Sequence, residues 1–190
     1  MGLSAFDAAV RLIEQLDESV RLREVAAVTE HVRTTLEDLI GAAGLRLPER
    51  FLTPGSDCYA RRLLHRNPEL GYTAVVMTWG PGQCTPLHDH SGMWCVEGVV
   101  EGAMTVRRFD LREQAKGLFR FDEVESLRAA VGSSGSLIPP HDYHILGNAL
   151  SDRPSLTLHV YGGERARCHV YHPRNDGWYE CSEKQLGYDD

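Results

Sequence analysis

The chain has 190 residues, 42% of them hydrophobic, enough for one domain with a real core and too few for two full ones. Its formal net charge is −7, and no Lys/Arg cluster suits a phosphate backbone, which speaks against a nucleic-acid partner. The opening MGLSAFDAAVRLIEQLDESV lacks the basic start and unbroken apolar core of a secretory signal, and no later run approaches the ~20 apolar residues of a membrane span, so a cytoplasmic location without a membrane partner is expected.

In chain order, residues 1–45 are predicted to form a helical segment. From Ser4 to Ala43, Phe6, Val10, Leu12, Ile13 and Leu16, then Val20, Leu22, Val25, Val28, Val32, Leu36 and Ile40 recur at three- and four-residue steps. Such stripes cover the outer face of a sheet and leave His31 on the solvated side. The Pro- and Gly-bearing stretch from Leu47 to Gly55 is a connector. From there the pattern changes to short β-rich runs separated by turn signals at Asn67-Pro68, Gly80-Pro81-Gly82, Glu101-Gly102 and Gly162-Gly163. Many short strands at this spacing predict a sandwich or barrel, with its core over residues 56–172 of a single domain. The polar stretch from Asp110 to Val131 is expected to be a peripheral hairpin. Residues 175–190 are expected to be a surface tail pinned at Trp178 and Tyr179. Five cysteines (Cys58, Cys84, Cys95, Cys168, Cys181) show no CxxC spacing, against a zinc ribbon or a disulfide framework.

The stretch that carries chemistry is GPGQCTPLHDHSGMWCVEGVVEG, residues 80–102. On a strand, His88 and His90 project from one face and offer two imidazoles to a first-row metal. A lone His-x-His pair is more often surface structure than a ligand pair, so the downstream match decides. In PPHDYHILGN, His144 is followed four positions later by Asn148. Together the two stretches resemble the paired motifs of the cupin superfamily: Gly82, five residues, His88-x-His90, four residues, Cys95, six residues, Gly102; then Pro139 and His144-xxx-Asn148. Where most metal-binding cupins have a Glu ligand, this chain has Cys95. With Tyr161 in TLHVY, that departure resembles the cysteine dioxygenase type I (thiol dioxygenase) family, over roughly Tyr59 to His169.

The resemblance implies a jelly-roll barrel with helices outside it, Fe(II) held by His88, His90 and His144, and a possible thioether link between Cys95 and Tyr161. It places the Tyr161 hydroxyl near the oxygen-binding position, with His159 donating a hydrogen bond to it and Thr157 beside both. His141 competes with His144 for the third ligand position, and Asn148 favours His144. Three neutral imidazoles leave ferrous iron dicationic, and a thiolate substrate supplies the missing negative charge. The product is then a sulfinic acid. Tyr59-Ala60-Arg61 resembles the family's Tyr-x-Arg segment, where the Arg binds the substrate carboxylate through two parallel hydrogen bonds. Alternation lets only one of Arg61 and Arg62 face inward, and Arg61 keeps the family spacing. The resulting expectation is oxidation of L-cysteine by dioxygen to cysteine sulfinate in cysteine catabolism, with 3-mercaptopropionate as the rival substrate. Non-oxygenase readings, a cupin using Mn, Ni or Zn or a metal-dependent sensor, remain beside it. The helices can cover one face of the barrel, which accords with a monomer.

Overall fold

The computed structural model describes residues 5–42 and 44–190. Ser4 and Ala43, the expected limits of the helical stretch, and the Phe6 side chain lie outside the described residues. Helix α1 spans Ala5–Val20 and α2 Val25–Glu37, continuing into a wider turn at Asp38–Ala42. Then come β1 (Ala60–Asn67), β2 (Tyr72–Trp79), β3 (Leu87–His88), β4 (Cys95–Glu101), β5 (Ala103–Ala115), β6 (Leu118–Ala130), β7 (Ser134–Leu137), β8 (Tyr143–Asn148), β9 (Ser155–Tyr161), β10 (Arg167–Pro173) and β11 (Tyr179–Gln185).

The strands form two sheets, as the jelly-roll expectation requires. One is five-stranded in the order β1-β2-β9-β4-β7; the other runs β10-β11-β6-β5-β8-β3 and closes on itself because β3 pairs with both β8 and β10. The helices lie on the outer face of the first sheet, and period-two alternation divides its central strands into two chemistries. Outward, Tyr72, Ala74 and Val76 of β2, Val96 of β4 and Leu156, Leu158 and Val160 of β9 pack against Leu12, Leu16, Val28, Val32 and Leu36 of the helices. Inward, the same strands carry Met77 and Trp79, Cys95 and Glu97, and Thr157, His159 and Tyr161. The helical stripe is therefore narrower than the sequence suggests, and Val10, Leu22 and Val25 are exposed. Gly98 shows how closely the layers approach, because a Cβ there would stand 2.9 Å from the Ile40 Cδ1 atom. Gly102, the motif glycine, has φ +79°, the left-handed region that side chains disfavour.

Two expected peripheral segments belong to the second sheet. The stretch from Asp110 to Val131 forms most of the β5–β6 hairpin: β5 also pairs with β8, and Phe119 and Phe121 pack on Tyr171, with Phe121 also against Tyr143 and Tyr179. The expected tail instead holds β11, paired with β10 from Tyr179 to Gln185 and with β6 at Tyr179 and Glu180, so the sheet continues past residue 172. The last residues then cross back to β1, where the Asp189 amide donates to the Arg61 carbonyl at 2.8 Å.

Candidate metal centre

The two motif stretches meet through β3 and β8, whose register places His88 directly opposite His144. Two residues beyond His88, His90 turns to the same interior. All three are buried, with ring centroids 4.5 Å (His88–His144), 5.0 Å (His90–His144) and 5.5 Å (His88–His90) apart. The Nε2 atoms of His88 and His144 are 3.1 Å from one another, and one ligand atom from each of the three residues lies within 4.8 Å of the others. His141 lies elsewhere: its side chain is 69% exposed and faces Asp110 at 3.2 Å.

Each ring has an oxygen behind its other nitrogen. Nδ1 of His88 faces the Pro86 carbonyl at 3.0 Å, that of His90 faces Asp142 at 3.6 Å, and that of His144 faces Glu97 at 3.6 Å. At His88 the carbonyl within hydrogen-bond distance favours the tautomer whose Nε2 lone pair is free for a metal, whereas the oxygens facing His90 and His144 stand beyond that distance. Burial, reinforced by the nearby Arg165 guanidinium, depresses the His88 pKa to about 3. His90 and His144 are pushed well below the histidine range, again mainly by burial. The donors are thus neutral across the physiological range, as metal binding requires. Asp89, between the two motif histidines, anchors the strand from the opposite face. Its carboxylate accepts from the His169 amide (2.9 Å), His169 Nδ1 (2.8 Å), the Ser91 amide (3.1 Å) and the Tyr171 hydroxyl (3.2 Å).

A small cavity is lined by Tyr59, Met77, Trp79, Thr85, Leu146, His159, Tyr161 and Arg165 as well as His88, His90 and His144. The β4–β9 register sets Cys95 opposite Tyr161, Glu97 opposite His159 and Val99 opposite Thr157. Burial raises the pKa values of both Cys95 and Tyr161, so thiol and phenol are protonated. His159 stacks on Tyr161 with centroids 6.0 Å apart, but its Nε2 meets the Thr157 hydroxyl at 2.7 Å, and that hydroxyl accepts from Trp79 Nε1 at 2.8 Å. The hydrogen bond reaching the Tyr161 hydroxyl comes instead from Arg165, at 3.2 Å.

Arg61 is buried and Arg62 lies toward solvent, as alternation predicts. The Arg61 guanidinium, however, is outside the cavity lining. It donates to the carbonyls of Gly187 (2.8 Å) and Arg165 (3.0 Å) and stacks on Tyr188. The guanidinium that lines the cavity belongs to Arg165, which also donates to the Asp89 carbonyl at 2.9 Å and is 4% exposed. Tyr59 does line the cavity, packed on Trp79. Sequence reasoning singled out neither Arg165 nor Glu97, Asp89 and Asp142. Glu97 shares the Cys95 face by simple alternation, whereas Arg165 sits in a loop with no periodicity to orient it.

A β-barrel whose interior gathers three buried, neutral imidazoles defines a cupin with a site able to bind a metal ion. The chain belongs to the cysteine dioxygenase type I family, whose sequence profile matches residues 8–174. That membership places it among dioxygenase-type oxidoreductases. Among solved structures it is similar to TT1209 from Thermus thermophilus (20% identity, 60% of this chain and 90% of that one, TM-score 0.46). It is also similar to KdgF from Halomonas sp. (20%, 60% and 87%, 0.44) and to a cupin 2 domain-containing protein from Halorhodospira halophila (21%, 62% and 70%, 0.44). No described helix is long and apolar enough to cross a membrane.

Proposed function

We propose that this protein is an Fe(II)-dependent thiol dioxygenase that oxidises L-cysteine to cysteine sulfinate, RSH + O2 → RSO2H. The observation that carries the reading is the donor set: three buried imidazole nitrogens with no carboxylate among them, next to a cavity that holds a guanidinium and a phenol. His88, His90 and His144 would hold the iron, an all-nitrogen set that suits a first-row metal and leaves coordination positions open. The iron, when bound, supplies a centre at which a thiolate and dioxygen become neighbours and the thiol loses its proton near neutral pH.

The remaining roles fall to the chain's own side chains. Arg165 offers its guanidinium to the substrate carboxylate, and Arg61, the arginine expected from the motif, supports it from behind through the Arg165 carbonyl. Tyr161, held by Arg165, presents its hydroxyl to the cavity next to His90. Thr157 and Trp79 fix the His159 ring. Cys95, the register partner of Tyr161, would form a thioether with its ring in a two-electron oxidation that removes one hydrogen from each residue and for which dioxygen is the oxidant.

The second substrate reading, 3-mercaptopropionate, rests on the same guanidinium, since both thiols carry a carboxylate. Iron-loaded protein incubated in air with a panel of thiols, followed by mass spectrometry, separates them. The reading expects a product two oxygen atoms heavier than cysteine, with faster turnover than for 3-mercaptopropionate. Oxygen uptake with neither thiol overturns it.

A further inference from the structure

A carboxylate inside a barrel is costly unless something there needs its charge. Glu97 is 9% exposed, and its Oε2 has no hydrogen-bond partner among the described residues. Its two oxygens instead face two imidazoles. Oε1 is 3.6 Å from Nδ1 of His144, and Oε2 is 3.3 Å from Nδ1 of His159. Both nitrogens are buried and lack any other partner among the described residues. The remaining nitrogens of those rings are already committed: His144 Nε2 turns to the ligand cluster and His159 Nε2 meets the Thr157 hydroxyl. Trp79 donates to Thr157, and Thr157 donating to His159 Nε2 leaves an N–H on His159 Nδ1 that faces Glu97 Oε2, as Nδ1 of His144 faces Oε1, both contacts short of hydrogen-bond geometry.

We propose that Glu97 is a positioning residue that orients His144 as a metal ligand and sets the His159 tautomer at the same time, joining the ligand triad to the side chains around Tyr161. This rests on the iron site proposed above. The backbone supports it: β4 places Glu97 directly opposite His159, two residues from Cys95 on the same inward face, so the carboxylate reaches both rings from one strand. Its other flank borders a separate cavity of about 400 Å³ walled by Val99, Met104, Leu137 and Leu146, which leaves the carboxylate partly solvated and eases its burial. A carboxylate behind a ligating histidine raises the basicity of that ligand and strengthens its hold on the metal.

The test is anaerobic Fe(II) binding to wild type and Glu97→Gln in competition with a chelator, without thiol. Gln keeps the shape and removes the charge. The expected result is a loss of iron affinity of about tenfold to a hundredfold, a ferric/ferrous potential shifted upward, and an apoprotein that still melts cooperatively. Equal iron affinity and an unshifted potential in a folded Glu97→Gln protein overturn the proposal. Wild-type protein that takes up no iron overturns the iron site itself, which is a different failure. Should Glu97→Gln not fold, nitrogen NMR of ¹⁵N-histidine-labelled wild type loaded with Zn(II) gives the same decision. Protons on Nδ1 of both His144 and His159 support the proposal, and an Nε2–H tautomer at His159 overturns it.

Discussion

Replacing Arg165 with methionine separates the two arginines available to a substrate carboxylate. A guanidinium has five N–H donors. Arg165 spends one on the Tyr161 hydroxyl and one on the Asp89 carbonyl, which leaves donors for a ligand in the cavity that it lines. A buried charge-assisted hydrogen bond contributes about 1.5–3 kcal/mol. Losing the pair to a carboxylate therefore costs about 3 kcal/mol or more, on the order of a hundredfold in kcat/KM. The same substitution frees the Tyr161 hydroxyl and the Asp89 carbonyl, and that cost falls on every thiol alike. The informative quantity is the ratio of oxygen-uptake kcat/KM for cysteine to that for cysteamine, which has no carboxylate. Arg165→Met is expected to reduce this ratio on the order of a hundredfold, and Arg61→Gln much less, because Arg61 points at the Gly187 and Arg165 carbonyls. If the ratio survives in Arg165→Met and collapses in Arg61→Gln, the carboxylate belongs to Arg61 and the reasoning from the cavity lining is refuted.

Turned-over wild-type protein is expected to be two hydrogens lighter than its sequence mass, while Cys95→Ser, which keeps the ligands but not the sulfur, shows no such loss; an unchanged wild-type mass removes the thioether. Metal-free protein should lose stability as pH falls. The three ligand histidines are held far below their unfolded value of 6.5, so below that pH the unfolded chain binds more protons than the folded one. At pH 5.5, one unit below that value, His88 costs on the order of 1 kcal/mol and His90 and His144 add to it in the same direction, while between pH 7 and 8 the contribution is small. Chemical unfolding of chelated protein at pH 7.5 and 5.5 measures this, and equal stability at both would contradict the buried neutral triad.

The histidine cluster was legible in the sequence because it depends on alternation within a strand and on motifs that resemble those of a known family. The shared face of His88 and His90 follows from alternation, whereas His144 and the inward choice of Arg61 over Arg62 came from the resemblance to the family's motifs. What alternation cannot say is which interior space an inward side chain reaches. Arg61 meets the returning C-terminal residues, whose path depends on β11, and β11 was unreadable because only Tyr179 and Cys181 of YECSEKQ turn inward, even partly. A strand this polar is recognisable only from its partner β10, a long-range pairing. The helical stripe erred at Val10, Leu22 and Val25 for a related reason: periodicity marks a face, and the width of that face is set by the sheet beneath it.

The central claim is that His88, His90 and His144 together hold one ferrous ion on which thiol oxidation depends. Anaerobic iron titration of wild type and His144→Ala, each followed by oxygen uptake with cysteine, tests it most directly. The account predicts one equivalent bound and thiol-dependent uptake in the wild type, with both lost in a folded His144→Ala. Undiminished iron binding and uptake in that variant would contradict it.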